Sequence, residues 1–497
     1  MEEVDILIVG AGISGIGAAV HLQRDCPDKS IAIVEGRSDL GGTWDLFKYP
    51  GIRSDSDMHT FGYDFKPWVD PDALAEAHKI KGYLAETADQ YRIRERISFD
   101  TRVIAAEWSS ADARWTVTTK GPDGEAKIRC AFLYLNTGYY NYEQPYRPDF
   151  PGEADFAGPI IHPQHWPEDL DYAGKNVVVI GSGATAVTIV PSMAGKAKNV
   201  TMLQRSPTYI VSLPKQDRIS NVVGKLMGEE AGYKFARWKN IRFSAVFYKR
   251  AIAKPKKVAA NIIKRAKKAM PGVDVDRHFT PSYDPWTQRL CLVPDGDLFE
   301  AINSGQAEVV TDTIDSFEKG GIRLSSGKTL PADIIVTATG LNLRMFGGVD
   351  FTVDGEAVRP SDCYAYKGAL FTGLPNFTST LGYTNASWTL KADILARYVG
   401  RLLNLMDEKG VDIVEPKLPP AHAQFDDVFA LNAGYVIRGR DQMPKGTTVA
   451  PWHQPHDYLS DRVVLTEKPV DDGTLVFRRK GEGVAANEPE ELPQAAE

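Results

Sequence analysis

The sequence of 497 residues contains only four cysteines, and they do not form the patterns of redox or metal sites. Cys26, Cys130, Cys291 and Cys363 are far apart, without a CxxC pair or a disulfide framework, which predicts a reducing cytoplasm and no bound metal. The sequence also lacks an apolar run of about 20 residues, the length that a membrane-spanning helix needs. It begins with the acidic stretch MEEVDILIVG, which predicts a strand and no signal peptide.

The charge is low overall but unevenly distributed. The net charge of −7, with 43% hydrophobic and 25% charged residues, predicts two or three globular domains and no affinity for nucleic acid. From Lys215 to His278, however, 17 Lys/Arg stand against 5 Asp/Glu, so this segment carries +12 and the rest of the chain −19. The stretch KKVAANIIKRAKKAM within it has helical periodicity. Three interpretations remain open: a solvated insertion covering a cleft, a surface that steers an anionic cofactor, and a peripheral membrane contact.

A β-α-β pattern opens the chain. The strand VDILIV is followed by GAGISG, a helical stretch and the strand SIAIVE, with Gly10, Gly12 and Gly15 at the three positions of a dinucleotide-binding turn. Glu35, 20 residues after Gly15, can accept hydrogen bonds from both ribose hydroxyls and repels a 2′-phosphate, so this half predicts FAD or NAD. The glycine- and aromatic-rich loop GGTWDLFKYPGIRSDSD favours FAD, because such a loop can follow an extended cofactor.

A second β-α-β pattern, NVVVIGSGATAV followed by NVTMLQR, has the opposite ribose chemistry. Gly181, Gly183 and Ala186 form a GxGxxA turn. The second strand ends in Arg205-Ser206, where the first half has an acidic residue. A guanidinium beside a hydroxyl can bind a 2′-phosphate through charge-assisted hydrogen bonds, so this half predicts NADPH.

The two patterns predict an α/β fold of two dinucleotide-binding (Rossmann-like) domains with a helical insertion. The strands FLYLNTG and DIIVTATG, each ending in Thr-Gly, are expected to close the two halves. The predicted segments are an FAD-binding domain (1–140 and 341–480), an NADP-binding domain (141–212 and 281–340), a basic helical insertion (213–280) and a disordered tail (481–497).

Opposite ribose chemistry in two halves of one chain predicts hydride transfer from NADPH to a bound flavin. A disulfide reductase needs a cysteine pair near the flavin, and the sequence has none. Electron transfer to a protein partner and reaction of the reduced flavin with O2 remain.

The loop FAGPIIHPQHWP carries a family fingerprint. It matches FxGxxxHxxxWP through Phe156, Gly158, His162, Trp166 and Pro167. A second motif is matched by Gly41-Gly42, Trp44, Tyr49-Pro50-Gly51 and Asp55. With these motifs the sequence resembles the Baeyer–Villiger monooxygenases of the flavin-containing monooxygenase superfamily. Further stretches such as LQRSPTYIVS and GYTNASWTLKAD resemble the monooxygenases that activate the thioamide prodrug ethionamide.

The resemblance implies an enzyme that uses FAD, NADPH and O2. Such an enzyme inserts one oxygen atom beside a ketone carbonyl, through a C4a-peroxyflavin, and gives an ester or lactone. Sulfides and thioamides are further implied substrates. Two alternatives stay open: a flavin monooxygenase that oxygenates sulfur or nitrogen without ketone activity, and a flavoprotein reductase that does not oxygenate.

The resemblance also implies residue roles. Arg289 is the implied catalytic residue, resting against Asp55, and Arg53, Ser54 and Asp55 are implied to border the nicotinamide. Further implied cofactor contacts are Ser14, Thr43, Trp44, Asp45, Leu46 and Val103 for FAD, and Gly181, Ser182, Gly183, Ala184, Thr185, Ala186 and Val187 for NADP.

Gln288 departs from the family, where lysine often stands before the catalytic arginine, so the preference for NADPH depends more on Arg205. The His162 loop is implied to lie at the hinge between domains and not to act as a base. The stretch GYTNASWTLKADI is predicted to cap a helix through the side chain of Thr384, Asn385 or Ser387.

Overall fold

A computed structural model describes residues 1–429 and 431–482 of the protein. The predicted disordered tail, 481–497, lies outside the described residues apart from its first two positions. The helices are α1 Ile13–Asp25, α2 Thr43–Leu46, α3 Met58–Phe61, α4 Ala77–Gln90, α5 Ala184–Met193, α6 Arg218–Met227, α7 Glu229–Ala253, α8 Pro255–Ala269, α9 Val275–His278, α10 Asp297–Asn303, α11 Trp388–Lys409, α12 Gly434–Gly439 and α13 Tyr458–Thr466. Within the described ranges, none of these helices has the length and apolar character needed to cross a membrane.

The strands belong mainly to two sheets. In chain order they are β1 Glu2–Val9, β2 Ile31–Val34, β3 Ile97–Ser98, β4 Arg102–Ser109, β5 Arg114–Gly121, β6 Gly124–Leu135, β7 Ile160–Ile161, β8 Asn176–Ile180, β9 Asn199–Gln204, β10 Ile210–Leu213, β11 Cys291–Pro294, β12 Ala307–Thr311, β13 Ile314–Glu318, β14 Gly321–Leu324, β15 Thr329–Pro331, β16 Ile334–Thr337, β17 Asp350–Val353, β18 Glu356–Val358, β19 Ala365–Tyr366, β20 Leu370–Phe371, β21 Phe377–Ser379, β22 Ile413–Pro416, β23 Phe425–Asp427, β24 Lys445–Thr447 and β25 Leu475–Arg478.

The first sheet is built around β1. Its order is β18-β17-β4-β5-β6-β1-β2-β3, and β21 also pairs with β6. β1 runs parallel to both β2 and β6, with Ile6 opposite Ile31 and Phe132. Four consecutive residues of β1, 6–9, are buried, as expected for a parallel strand covered on both faces. One covering layer is α1, which packs against α11 from the distant end of the chain.

The second sheet has the order β12-β9-β8-β16-β7, and all its strands are parallel. The chain therefore leaves the first sheet after β6, builds the second, and returns to the first at β17. The mixed first sheet, with its parallel β6-β1-β2-β3 part, and the all-parallel second sheet confirm the predicted α/β class. The domain limits remain predictions.

The insertion consists of α6 to α9 and connects β10 to β11. These two strands pair in parallel, with Ile210 opposite Cys291, so the insertion leaves and rejoins the chain at neighbouring strands. The predicted helix KKVAANIIKRAKKAM is confirmed as α8, which buries Val258, Ile262 and Ala266 at intervals of four residues.

Candidate functional site

The first glycine-rich turn lies between β1 and α1. Gly10 has a φ of 103°, and a Cβ at Gly15 would lie 1.8 Å from the carbonyl oxygen of Gly10. Both positions therefore require glycine. α1 begins after Gly12, which offers no side-chain cap. The N–H groups of its first turn, at Ile13 and Ser14, can bind an anion such as a pyrophosphate.

Glu35 directly follows β2 beside this turn. The residue is 7% exposed, and its carboxylate accepts hydrogen bonds from the N–H groups of Ala11, at 2.7 Å, and Arg37, at 2.9 Å. Burial raises the pKa of Glu35, and the two hydrogen bonds oppose that rise. The carboxylate thus lies next to the turn, where the ribose of a dinucleotide is held in this type of fold.

The segment after Glu35 packs on the first glycine turn. Gly42 has a φ of 56°, and a Cβ there would lie 3.2 Å from the Cα of Gly12. Thr43, Trp44 and Leu46 follow in the single-turn helix α2, so the stretch predicted as one long loop contains helical turns. These side chains are half-buried beside the turn.

Two further positions with predicted FAD contacts are buried. The Asp45 carboxylate is already paired with Arg37, at 2.7 Å, and Lys81, at 2.6 Å. Its burial favours the neutral acid, but these two cations lower the pKa of Asp45 overall. Val103 lies on β4 with 5% exposure. The Asp45 side chain therefore fixes the loop, and a cofactor contact at this residue is left to its backbone.

The second glycine-rich turn is more open than the first. Gly181 has a φ of 137°, and a Cβ there would lie 2.3 Å from the carbonyl oxygen of Ala338. α5 begins at Ala184 after Gly183, which again makes no side-chain cap, and both residues are exposed. Within α5, Thr185 is half-buried, whereas Ala186 and Val187 are buried.

Ser182 connects this turn to the end of β9. Its hydroxyl donates to the carbonyl oxygen of Ser206 at 3.1 Å and lies 2.8 Å from the hydroxyl of Thr208. Arg205 stands beside them and is exposed. The structure thus places Arg205 and Ser206 next to the open glycine turn.

The fingerprint loop packs against the second sheet. Phe156 is buried and contacts Phe317 edge-on at 6.4 Å between ring centroids. A Cβ at Gly158 would lie 2.2 Å from the carbonyl oxygen of Asp333, which explains the glycine. Trp166 is half-buried against the core of the second sheet, and Pro167 is exposed.

His162 is held through both ring nitrogens. Nδ1 accepts from the N–H of Gln164 at 3.1 Å, so Nε2 is the protonated nitrogen and donates to the carbonyl oxygen of Gly340 at 3.2 Å. Burial lowers the pKa of His162 to about 4. The loop therefore holds a neutral histidine against the segment that follows β16.

That segment crosses the one that follows β6, and together they carry the chain between the sheets. The N–H of Asn141 donates to the carbonyl oxygen of Asn342 at 2.9 Å, and the Thr339 hydroxyl donates to that of Tyr146 at 2.8 Å. Gln164 of the fingerprint loop donates to the Asn141 carbonyl at 2.8 Å. The fingerprint loop thus contacts both crossing segments, the place predicted for a hinge.

Arg289 and Asp55 face each other. The Nη1 of Arg289 lies 3.7 Å from a carboxylate oxygen of Asp55, and the two side chains are 35% and 44% exposed. Arg289 stands just before β11, whose first residue, Cys291, donates its N–H to the carbonyl oxygen of Tyr209 at 2.9 Å. The end of the insertion is thereby fixed, and the guanidinium faces the loop from the first half.

Three tyrosines surround the guanidinium. Burial raises the pKa of Tyr140 to about 12, and the charge of Arg289 opposes that rise. Burial likewise raises the pKa of Tyr139 and Tyr435 against the same charge. The hydroxyls of Tyr139 and Tyr140 are 3.3 Å apart. All three remain neutral at physiological pH, so they form a polar but uncharged wall beside a permanent cation.

Arg289 and Asp55 also line a large cavity. Its volume is about 1580 Å³, and its walls come from α7 and α8, the start of α6, the strands β10 and β11 that flank the insertion, and segments of the first half. Aromatic and aliphatic side chains such as Phe247, Trp286 and Leu290 contribute to its lining. A cavity of this size holds a large apolar molecule next to a charged pair.

A second cation joins the two halves. Arg53 donates to the Asp297 carboxylate at 2.6 Å, and Asp297 begins α10 beside the second sheet. The Arg53 side chain is 11% exposed, and its other terminal nitrogen, Nη2, has no hydrogen-bond partner among the described residues. Ser54 is buried and donates to the carbonyl oxygen of Ser56 at 2.9 Å.

Comparison with known proteins identifies the family. A family model for pyridine nucleotide-disulphide oxidoreductases matches residues 7–225. The FAD-containing monooxygenase EthA of Mycobacterium tuberculosis is 50% identical over 481 residues, covering 96% of this chain and 98% of its own. The probable FAD-binding monooxygenase AlmA of Acinetobacter baylyi is 48% identical over 486 residues, covering 97% and 98% of the two chains.

The chain belongs to the FAD-containing monooxygenases. Among solved structures, a steroid monooxygenase bound to NADP matches with a TM-score of 0.77 at 24% identity, over 96% of this chain and 100% of its own. An open structure of cyclohexanone monooxygenase matches with a TM-score of 0.76 at 20% identity and the same coverage. The fold of this monooxygenase is therefore that of these enzymes.

The residues of the first half suit FAD. The uncapped start of α1 can accept a pyrophosphate, and Glu35 lies beside it, at the position that suits the ribose hydroxyls of an adenosine. Two buried nitrogens in the monooxygenase, Nε of Arg289 and Nδ2 of Asn136, have no hydrogen-bond partner in the described ranges. Buried donors of this kind are normally satisfied, so they fit a polar ligand bound between the two halves.

A possible metal-binding group in the monooxygenase is better explained as an ion-pair network. His21, Asp64 and Asp393 bring their ligand atoms within 4.8 Å of one another. The Nη2 of Arg237 lies 3.1 Å from Asp393, so the protein itself supplies positive charge there.

Several site residues were not predicted from the sequence. Asp297 and Tyr435 have no motif, whereas Tyr139 and Tyr140 directly follow the Thr-Gly that ends the first half, a signal that could have revealed them. Of the three predicted caps, Ser387 is the residue before α11, but its side chain makes no capping hydrogen bond. Its hydroxyl lies 2.6 Å from that of Thr60 instead.

Proposed function

We propose that this monooxygenase is a Baeyer–Villiger enzyme that uses NADPH and O2 to convert a ketone to an ester or lactone. One oxygen atom enters the product, and the other leaves as water with the two electrons of NADPH. The observation that carries the proposal is the Arg289–Asp55 pair on the wall of the large cavity. The same centre is expected to oxygenate sulfides and thioamides, which need no further catalytic group.

Bound FAD supplies the activation of O2, and the protein supplies charge and position. Arg289 provides a permanent cation where negative charge develops on oxygen, the largest single contribution in many enzymes of this kind. Asp55 orients the guanidinium by charge attraction, at a distance of 3.7 Å that is too long for a hydrogen bond to lock it. Tyr139 and Tyr140 keep the wall polar without adding charge that competes with the cation.

The second half is proposed to bind NADPH. The exposed turn at Gly181 and Gly183 leads into the uncapped start of α5, where a pyrophosphate can bind. Arg205 is the proposed partner of the 2′-phosphate, because Gln288 is neutral. The Arg53 guanidinium, with one unpartnered nitrogen at the junction of the halves, is proposed to border the nicotinamide.

Replacing Arg289 tests the proposal. Arg289→Ala should still allow NADPH to reduce FAD but should lose ester formation by about 10²–10³-fold, a typical effect of removing one oxyanion-stabilising group. NADPH oxidation should then yield hydrogen peroxide. Arg265→Ala removes another arginine of the same cavity and should retain ester formation. Ordinary ketone turnover by Arg289→Ala would refute the role.

Two alternatives have distinct outcomes. An enzyme limited to sulfur or nitrogen would oxygenate a thioether and leave a simple ketone unchanged when both are offered together. A non-oxygenating reductase would consume no O2 in forming its product. Disulfide reduction is disfavoured, since all four cysteines are free and buried. The 20%-identical structure is named for a cyclic ketone, cyclohexanone, which supports the ketone assignment by fold.

A further inference from the structure

The α6–α7 hairpin, residues 218–253, exposes an unusual set of apolar side chains. Of the large hydrophobic residues that are exposed in the described part of the chain, eight lie on this hairpin. Leu226 is 80% exposed and Met227 71%, and the others are Ile219, Val222, Trp238, Phe243, Val246 and Ile252. An apolar surface of this density on one element normally contacts another molecule.

The hairpin is built so that this apolar surface stays outside. α6 buries only Ser220, while Ile219, Val222 and Leu226 follow one another at helical spacing and are exposed. A Cβ at Gly232 would lie 2.5 Å from the Cα of Gly224, so the two helices cross in close contact. α6 thus turns its polar side inward, the reverse of an ordinary surface helix.

Exposed cations lie at both ends of the apolar surface. Lys225 stands next to Leu226 on α6, and Lys254, Lys256 and Arg250 lie around the start of α8. All four are exposed, and none has an ion pair among residues 1–429 and 431–482. Over Lys215 to His278 the charge is +12, whereas the remaining chain carries −19.

The cavity reaches this surface. Ile219 of α6 and Phe243 of α7 line the cavity and are also 64% and 65% exposed. The cavity therefore opens between the two helices of the hairpin, and Arg289 lies on its wall. The Asp217–Lys239 ion pair, which joins the start of α6 to α7, also lines this entrance, so an apolar molecule enters beside one polar contact before it reaches the apolar lining.

We propose that the α6–α7 hairpin docks on an anionic lipid bilayer and admits apolar substrate from it. Aliphatic and aromatic side chains with neighbouring lysines and arginines are the features of helices that lie in a bilayer interface. A second copy of the chain is a poorer occupant, because self-association would bring two strongly basic surfaces together. The docking on the bilayer does not depend on the proposed function, whereas the delivery of a ketone to Arg289 does.

Flotation with vesicles tests the docking without any measurement of activity. The FAD-loaded full-length protein should float with phosphatidylcholine vesicles that contain about 30 mol% phosphatidylglycerol, and about 500 mM NaCl should weaken the binding. Leu226→Gln/Met227→Gln should weaken it about tenfold or more, since two apolar side chains no longer enter the bilayer. Lys225→Glu should weaken it at low salt only.

Matched controls separate docking from other effects. Phe425→Gln removes an apolar side chain of similar exposure, 60%, on β23 outside the insertion and should bind vesicles like the wild type. The Leu226→Gln/Met227→Gln variant should turn over a water-soluble ketone normally but lose rate on a long-chain ketone held in vesicles. No wild-type flotation, or equal flotation with phosphatidylcholine alone, would overturn the proposal. So would a wild-type dimer that this variant converts to a monomer, which would make the surface a contact between copies.

Discussion

Arg237 is expected to hold the insertion against the first half. It lies on α7 with 8% exposure, and its Nη1 donates to the carbonyl oxygens of His59, at 3.0 Å, and Gly62, at 2.8 Å. Its Nη2 pairs with Asp393 of α11, which is 2% exposed, at 3.1 Å. A buried cation thus satisfies acceptors from two elements that surround the predicted flavin site.

Arg237→Met removes the charge and keeps much of the apolar volume. It leaves the two carbonyl oxygens and the Asp393 carboxylate without their shared donor, and breaking a buried ion pair from one side costs about 3–5 kcal/mol. Asp393→Asn should cost a similar amount, because Arg237 is then the uncompensated charge. The double variant should lose clearly less than the sum of the two single losses, since each single change already breaks the one Arg237–Asp393 pair.

The assay is urea unfolding, followed by the loss of bound FAD, with peroxide release measured in parallel. Peroxide should rise in Arg237→Met, because the helix that Arg237 anchors also holds Asp57 through Asn240 at 2.9 Å, two residues from Asp55. Lys234→Met is the matched control: Lys234 is 70% exposed and pairs only with Glu230 of the same helix among the described residues, so about 0.5 kcal/mol or less is expected. This role of Arg237 would be refuted if Arg237→Met unfolded at the same urea concentration as the wild type and released no more peroxide.

Two further predictions concern the cofactor and the thiols. Arg205→Ala should raise the KM for NADPH by about 10–100-fold and leave that for NADH unchanged, since a charge-assisted phosphate contact contributes about 1.5–3 kcal/mol; equal effects on both cofactors would contradict the 2′-phosphate role. Burial raises the pKa of Cys26 to about 11 and of Cys291 and Cys363 to about 12. At pH 8 the native enzyme should therefore not react with a thiol reagent, and four thiols should become reactive on denaturation. A native thiol that reacts fast would contradict this prediction and make disulfide reduction a candidate activity again.

The parts predicted from the sequence are those that depend on local chemistry. The turns at Gly10 and Gly181 could be predicted from spacing, because the glycines of each turn recur within six residues and the first has a positive φ, although the backbone that each approaches, at Asn136 and Ala338, is distant in the sequence. α8 could be predicted because its apolar residues recur at helical intervals within one short segment. The pairing of the β10 and β11 ends of the insertion could not be read, since it joins residues about 80 positions apart.

Pairs of side chains that are far apart in the sequence also could not be predicted. The resemblance predicted that Asp45 contacts FAD, but its carboxylate forms ion pairs with Arg37 and Lys81. Periodicity also does not reveal which side of a helix is covered. An apolar stripe such as that of α6 normally predicts a buried face, and only the packed structure shows Leu226 exposed.

The contacts across the two halves differ in strength, and this difference bears on how the site works. Arg53 and Asp297 join the halves at 2.6 Å with little exposure, a distance at which the cation and carboxylate share a hydrogen bond. Arg289 and Asp55 are 3.7 Å apart and more than a third exposed on average, too far for a hydrogen bond. The first pair can therefore fix the halves while the second leaves its guanidinium free to turn. If Arg289 stabilises negative charge on oxygen as proposed, its guanidinium can adjust beside Asp55 while the Arg53–Asp297 pair keeps the two halves in place.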